Sequence, residues 1–178
     1  MPPDLTTLFD SLEDVNISEI SQILPSKYYD IEDFKQLANT KNSKCNISIF
    51  NTNCRSLPKN KSSYDLLFET LSENSNFYFD VLTFCETWLS PDLEQLVNFS
   101  GYSKTMKHKS TVKGGGLAIY VKENLHYIAR NDINVRPEFE NLFDCLFIQI
   151  NRKPNDIVIG VISVPQATAP YQHLMNLF

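Results

Sequence analysis

The chain has 178 residues, 42% of them hydrophobic and 12% aromatic, enough to bury one core beside an extension. Twelve Phe and eight Tyr against only five Gly argue against a disordered or fibrous chain, and no apolar run reaches the roughly 18 residues that a membrane helix needs. The net charge of −5 is uneven, with eight acidic and two basic side chains in residues 1–40 and thirteen and fourteen in residues 41–178.

The first segment, MPPDLTTLFDSLED, is acidic and lacks a basic stretch followed by an apolar one, so it does not read as a secretory signal. Cys45, Cys54, Cys85 and Cys145 lie far apart without CxxC spacing. Reduced thiols in an intracellular compartment, cytoplasmic or nuclear, are expected rather than a zinc site or a disulfide framework.

Residues 1–44 read as an acidic extension of short helical pieces ending in a polar linker, Asn39–Lys44. Ile17, Ile20 and Leu24 recur at helical spacing. Asp30 is placed to cap a helix whose apolar side is Ile31, Phe34 and Leu37, with Asp33 in its first turn. A domain over 45–178 follows. Alternation of Ile47 and Ile49 predicts a strand, and the turn-like Ser56–Asn60 leads into a helix from about Ser63 to Glu73. Asp80–Cys85 predicts a buried strand ending at Glu86. A long polar connection precedes the glycines at 114–116, which open the strand LAIYV, and Leu125–Ala129 is a further candidate. Leu142–Ile150 and Asp156–Ser163 predict two strands joined by a hairpin turn over Asn151–Asn155. Strand, helix, strand, then mostly strands implies a layered α/β or α+β domain.

Two polar residues close apolar runs: Asn53 after the first strand and Glu86 after the second. A right-handed strand–helix–strand unit brings both ends to one sheet edge. An amide and a carboxylate there suit a hard cation such as Mg2+, which takes oxygen ligands and few of them from protein. A satisfied polar residue at a strand end is the plainer reading of spacing alone.

The blocks NTNCRSLPKN (51–60), FDVLTFCETWLSPD (79–92), GY (101–102), GGGLAIYV (114–121), FENLFDCLFIQI (139–150) and IVIGVIS (157–163) occur in order. Together they resemble the N-terminal half of the endonuclease of non-LTR (LINE-type) retrotransposons, in the endonuclease/exonuclease/phosphatase superfamily. The resemblance implies a partial four-layer α/β sandwich of the DNase I-like kind with its C-terminal half missing. It also implies a hydrolase that uses magnesium to cleave a DNA phosphodiester and prime reverse transcription. Asn53 and Glu86 match the family's metal-site asparagine and magnesium-binding glutamate, with Asn51 a competitor for the first role. DNA is the implied partner, and a polymerase domain is expected downstream in a longer reading frame.

Arg55 is a candidate phosphate contact. Ser103–Lys113 holds Lys104, Lys107, Lys109 and Lys113 with one histidine and no acid, so it either follows a DNA backbone or is a solvated loop. Trp88 and Leu89 are expected to pack against the domain, Cys85 to be a core thiol, and the glycines to allow a tight entry into LAIYV. Ser163 stands where the family places a phosphate-contacting tyrosine, and the family's later Asp-Xaa-Asn and Ser-Asp-His segments have no counterpart here. The chain alone is therefore expected to be inactive and poorly soluble. The alternatives are another phosphodiesterase of the superfamily, acting at abasic sites or as a phosphatase, and a non-catalytic interaction module.

Overall fold

The computed structural model describes residues 28–40, 47–108, 115–133 and 143–163. The expected helical pieces before residue 28, and Cys45, Lys109, Lys113, Gly114 and His173, lie outside them. Two helices, α1 (Ile31–Thr40) and α2 (Leu57–Ser75), and a 3-10 turn (Pro91–Leu96) accompany seven strands. These are β1 (Ile49–Asn53), β2 (Val81–Cys85), β3 (Tyr102–Lys107), β4 (Leu117–Lys122), β5 (Tyr127–Ala129), β6 (Asp144–Ile150) and β7 (Ile157–Ser163). The fold is mixed α/β with two sheets, ordered β1-β2-β4-β3 and β5-β6-β7.

Period-two alternation makes the layers. On β4, Leu117, Ile119 and Val121 face one way and pack with Val81 against Ile148, Ile150, Ile159 and Val161 of the second sheet. Ala118 and Tyr120 face the other way and join Leu82, Phe84, Leu57, Val97 and Phe99, with Phe50, Tyr64 and Phe68 packed alongside. Helix α2 covers that side, so the layers run helix, sheet, sheet. The continuous apolar run of β2, buried from Val81 to Phe84, follows from this double cover. Among the described residues no helix covers the outer face of the second sheet.

Several local expectations meet the coordinates directly. The Asp33 N–H donates to Asp30 Oδ1 at 2.8 Å, which is the cap of α1. Phe34 of that helix packs edge-on against Phe77 at 5.0 Å between centroids, anchoring it to the body. β6 and β7 pair antiparallel from Asp144↔Ser163 to Ile150↔Ile157, as a hairpin requires.

Two expectations are corrected. Helix α2 starts at Leu57, well before Ser63, because Pro58 sits in its first turn, where the missing N–H costs nothing. It ends at Asn76, whose φ of 47° and N–H bond to Ser72 O form a left-handed cap. The polar connection after Glu86 also carries structure: Pro91–Leu96 forms the 3-10 turn, and Tyr102–Lys107 is strand β3 on the sheet edge, antiparallel to β4. An edge strand with lysines escapes a search for apolar alternation.

Candidate functional site

The strand ends define one rim. β1 and β2 run parallel with Asn53 opposite Cys85, so Asn53 and Glu86 leave the sheet side by side. Cys85 also pairs with Leu117 at the start of β4, which pairs with Lys107 at the end of β3. From the second sheet, Ser163 Oγ lies 3.5 Å from Glu86 Oε1. Lys107 Nζ lies 3.8 Å from Asp144 Oδ1. The same rim therefore holds Asn53, Glu86, Lys107, Asp144 and Ser163.

Beyond the last ladder bonds the chain is laced together by its backbone. Cys54 N–H donates to Cys85 O, Ser56 N–H to Glu86 O and Leu57 N–H to Thr87 O, all within 2.9 Å. Thr87 and Trp88 N–H groups then donate to the carbonyls of Gly116 and Gly115. This lacing forces unusual backbone. Arg55, Ser56, Glu86 and Trp88 all take positive φ, at 41°, 90°, 56° and 53°. Left-handed conformations in non-glycine residues cost on the order of 1–3 kcal/mol each and collect at functional sites.

Glu86 is held rather than splayed into solvent. Its Oε2 accepts the Gly115 N–H at 2.8 Å and the Trp88 indole N–H at 3.0 Å. Hydrogen bonds of this kind fix the orientation of the carboxylate. Asn53 Oδ1 accepts the Arg55 N–H at 3.3 Å, and the Arg55 side chain is exposed beside it. Asn51, the competing candidate, is committed elsewhere: its Oδ1 accepts from Thr83 Oγ1 at 2.8 Å.

The glycines at 115 and 116 both have positive φ, and a Cβ on Gly116 would stand 2.6 Å from Thr87 Oγ1. A side-chain-free entry into β4 is therefore required, as expected. Their service to Glu86 was not anticipated. The expectation that Trp88 and Leu89 pack against the domain holds for Leu89, which is buried in the core, and only in part for Trp88, which stands half exposed with its N–H on the carboxylate. Of the other rim residues, Ser163 stands where the resemblance puts a phosphate contact, and Asp144 was left out of the site. Each lies at the end of an apolar strand, which was the available signal.

The described lysines are tied down. Lys104 Nζ donates to Glu94 O and to Asn98 Oδ1, fastening β3 to the 3-10 turn, and Lys107 faces Asp144. Both nitrogens of His108 face oxygens, Leu89 O and Glu94 Oε2, each at 3.2 Å. Cys85 is half-buried, and burial together with the Glu86 charge raises its thiol pKa, which keeps it a weak nucleophile.

As a metal site, the donor set is one carboxylate and one amide oxygen, hard ligands of the type and small number magnesium accepts. Among the described residues no cluster of three or more His, Cys, Asp or Glu groups forms a cage for an ion. No helix among them is long and apolar enough to cross a membrane. No known family model matches this sequence, and no curated protein matches it significantly.

Proposed function

We propose that this chain carries the metal- and phosphate-gripping part of a phosphodiesterase site of the non-LTR retrotransposon endonuclease kind, built on a DNase I-like sandwich. The observation that carries the reading is the placement of Asn53, in register with Cys85, and of Glu86 one residue further on, at the carboxyl ends of adjacent parallel strands, the edge where open α/β sheets bind ligands. Magnesium there would neutralise charge that develops on a phosphate under attack. Glu86 and Asn53 would hold the ion, and Gly115 and Trp88 keep the carboxylate aimed. Arg55 faces the phosphate from the loop that enters α2. That 19-residue helix begins at the same edge, with no acidic residue in its first turn.

Water activation needs a base; of the rim's two described carboxylates, Glu86 is the proposed ion ligand and Asp144 faces Lys107 Nζ at 3.8 Å. His108 has both ring nitrogens turned to oxygens, and His126 precedes β5 at the end of the second sheet away from Ser163. Binding of magnesium and DNA, rather than rapid turnover, is the activity this arrangement supports. Calorimetric titration with magnesium, and magnesium-dependent retention and nicking of plasmid DNA, compare wild type with Glu86→Ala. Removing the carboxylate should weaken both metal and DNA binding at least about tenfold. Equal binding of metal and DNA by the two proteins would refute the reading.

A further inference from the structure

We propose that Trp88 is a stacking platform for an unpaired nucleobase, so that the rim takes a single-stranded or locally opened strand. The inference rests on the phosphate-binding reading above and specifies its substrate. The segment Thr87-Trp88-Leu89 inverts the usual order of burial. Thr87 is 1% exposed and Leu89 5%, while Trp88 between them is 47% exposed. Burying a large aromatic ring is ordinarily among the most favourable things a chain can do with it. Here the backbone turns the ring outward instead, through a left-handed φ of 53° at Trp88 itself.

The outward ring is also fixed. Its indole N–H donates to Glu86 Oε2, and its backbone N–H donates to Gly115 O at 3.0 Å. A tethered indole loses little freedom when a flat partner settles on it, which is the condition for effective stacking. The tether sets the ring one hydrogen bond from the carboxylate proposed to hold the ion beside the scissile phosphate. A nucleobase adjoining that phosphate is the flat group within reach. Proteins that bind single strands combine backbone-tracking cations with such aromatic faces, and every base offers a π surface. Arg55 supplies the cation on the neighbouring loop.

Trp88 is the chain's only tryptophan, so its emission reports on this position alone. The test titrates the full chain, in magnesium, with a short thymidine oligonucleotide and with an abasic deoxyribose-phosphate strand of the same length. The thymidine strand should quench Trp88 emission and bind about 5- to 150-fold more tightly than the abasic strand, the range typical of one stacked base. Anisotropy of labelled strands should show that advantage falling to about onefold in Trp88→Leu and to an intermediate value in Trp88→Phe, which retains a ring but loses the N–H tether. Circular dichroism checks that both variants fold. An undiminished advantage in Trp88→Leu, or no advantage in wild type while both strands bind, overturns the stacking and leaves the phosphate site standing. Failure of both strands to bind overturns both.

Discussion

The Ser163 hydroxyl and the Glu86 carboxylate meet across the gap between the two sheets, with 3.5 Å between Ser163 Oγ and Glu86 Oε1. β7 and β2 belong to different sheets, so this contact makes the packing of the sandwich a determinant of the rim's geometry. It also gives a place to change the charge of the site without touching its proposed ligands.

Ser163→Asp should set a second carboxylate against Glu86 in a position that is 8% exposed. Two carboxylates that close repel, and one ionises with difficulty unless a cation lies between them. Without metal, the variant should lose about 1–3 kcal/mol of stability. With magnesium the loss should reverse, and affinity for the ion should rise about tenfold. Melting with and without a chelator measures both effects. A variant whose stability ignores magnesium would count against an ion at Glu86.

Gly116 and Gly101 offer a matched comparison. Both have positive φ, at 86° and 80°, but a Cβ on Gly116 would strike Thr87 Oγ1 at 2.6 Å, while one on Gly101 meets nothing within 4 Å. Gly101→Ala should cost about 1–2 kcal/mol, the conformational penalty alone. Gly116→Ala adds overpacking, for a total of about 2–5 kcal/mol. It should also loosen the turn that presents Glu86, since Gly116 O accepts the Thr87 N–H. Urea titrations decide the matter, and equal losses in the two variants would contradict the close approach seen here.

Part of this was legible in the residues. Asn53 and Glu86 end apolar runs, and the strand–helix–strand order carries both to one edge, so their shared edge follows from pattern and handedness alone. Trp88 was not legible in that way, because hydrophobicity assigns the largest ring in Thr-Trp-Leu to the core. Only the left-handed backbone at Glu86 and Trp88 turns it outward, and no glycine marks those positions. Ser163 was marked by the resemblance, but its contact with Glu86 was not legible, because it depends on how two sheets stack and joins residues 77 apart in sequence. β3 escaped because an edge strand tolerates Lys104 and Lys107 on its surface.

Alkaline pH should unfold the domain from the core outward. Burial is the main cause that raises Cys54 from 9.0 to about 12 and Tyr102 from 10.0 to about 12, and it raises Tyr120 as well. Each folded pKa exceeds its unfolded value, so the folded state holds protons that the unfolded chain releases. The stabilisation is therefore complete below about pH 9 and is lost as pH climbs toward about 12. Denaturation midpoints should stay level up to about pH 8.5 and then fall. Tyr120→Phe removes one titrating group, flattening that fall, but leaves Val97 O without its hydroxyl donor and so costs about 1 kcal/mol at neutral pH. Midpoints independent of pH between about 8 and 11 would contradict the burial of these groups.

Strand β7 should govern the solubility of the chain. Its sequence IVIGVIS has no charge and no proline, and it is an edge of the described three-stranded sheet. Such segments are templates for pairing with other chains. Alternation divides its residues sharply: Val158 is 49% and Ile162 43% exposed, whereas Ile159 is 7% and Val161 4%. Ile128 of β5 adds to the outer apolar face at 48%. Val158→Lys and Ile162→Lys should then change stability by no more than about 0.5 kcal/mol while raising the monomeric fraction in light scattering. Ile159→Lys, one residue away, would bury a charge between the sheets and cost more than about 3 kcal/mol. If Val158→Lys destabilised the fold as much as Ile159→Lys, the outer face would be packed against something in solution, and association would need another cause.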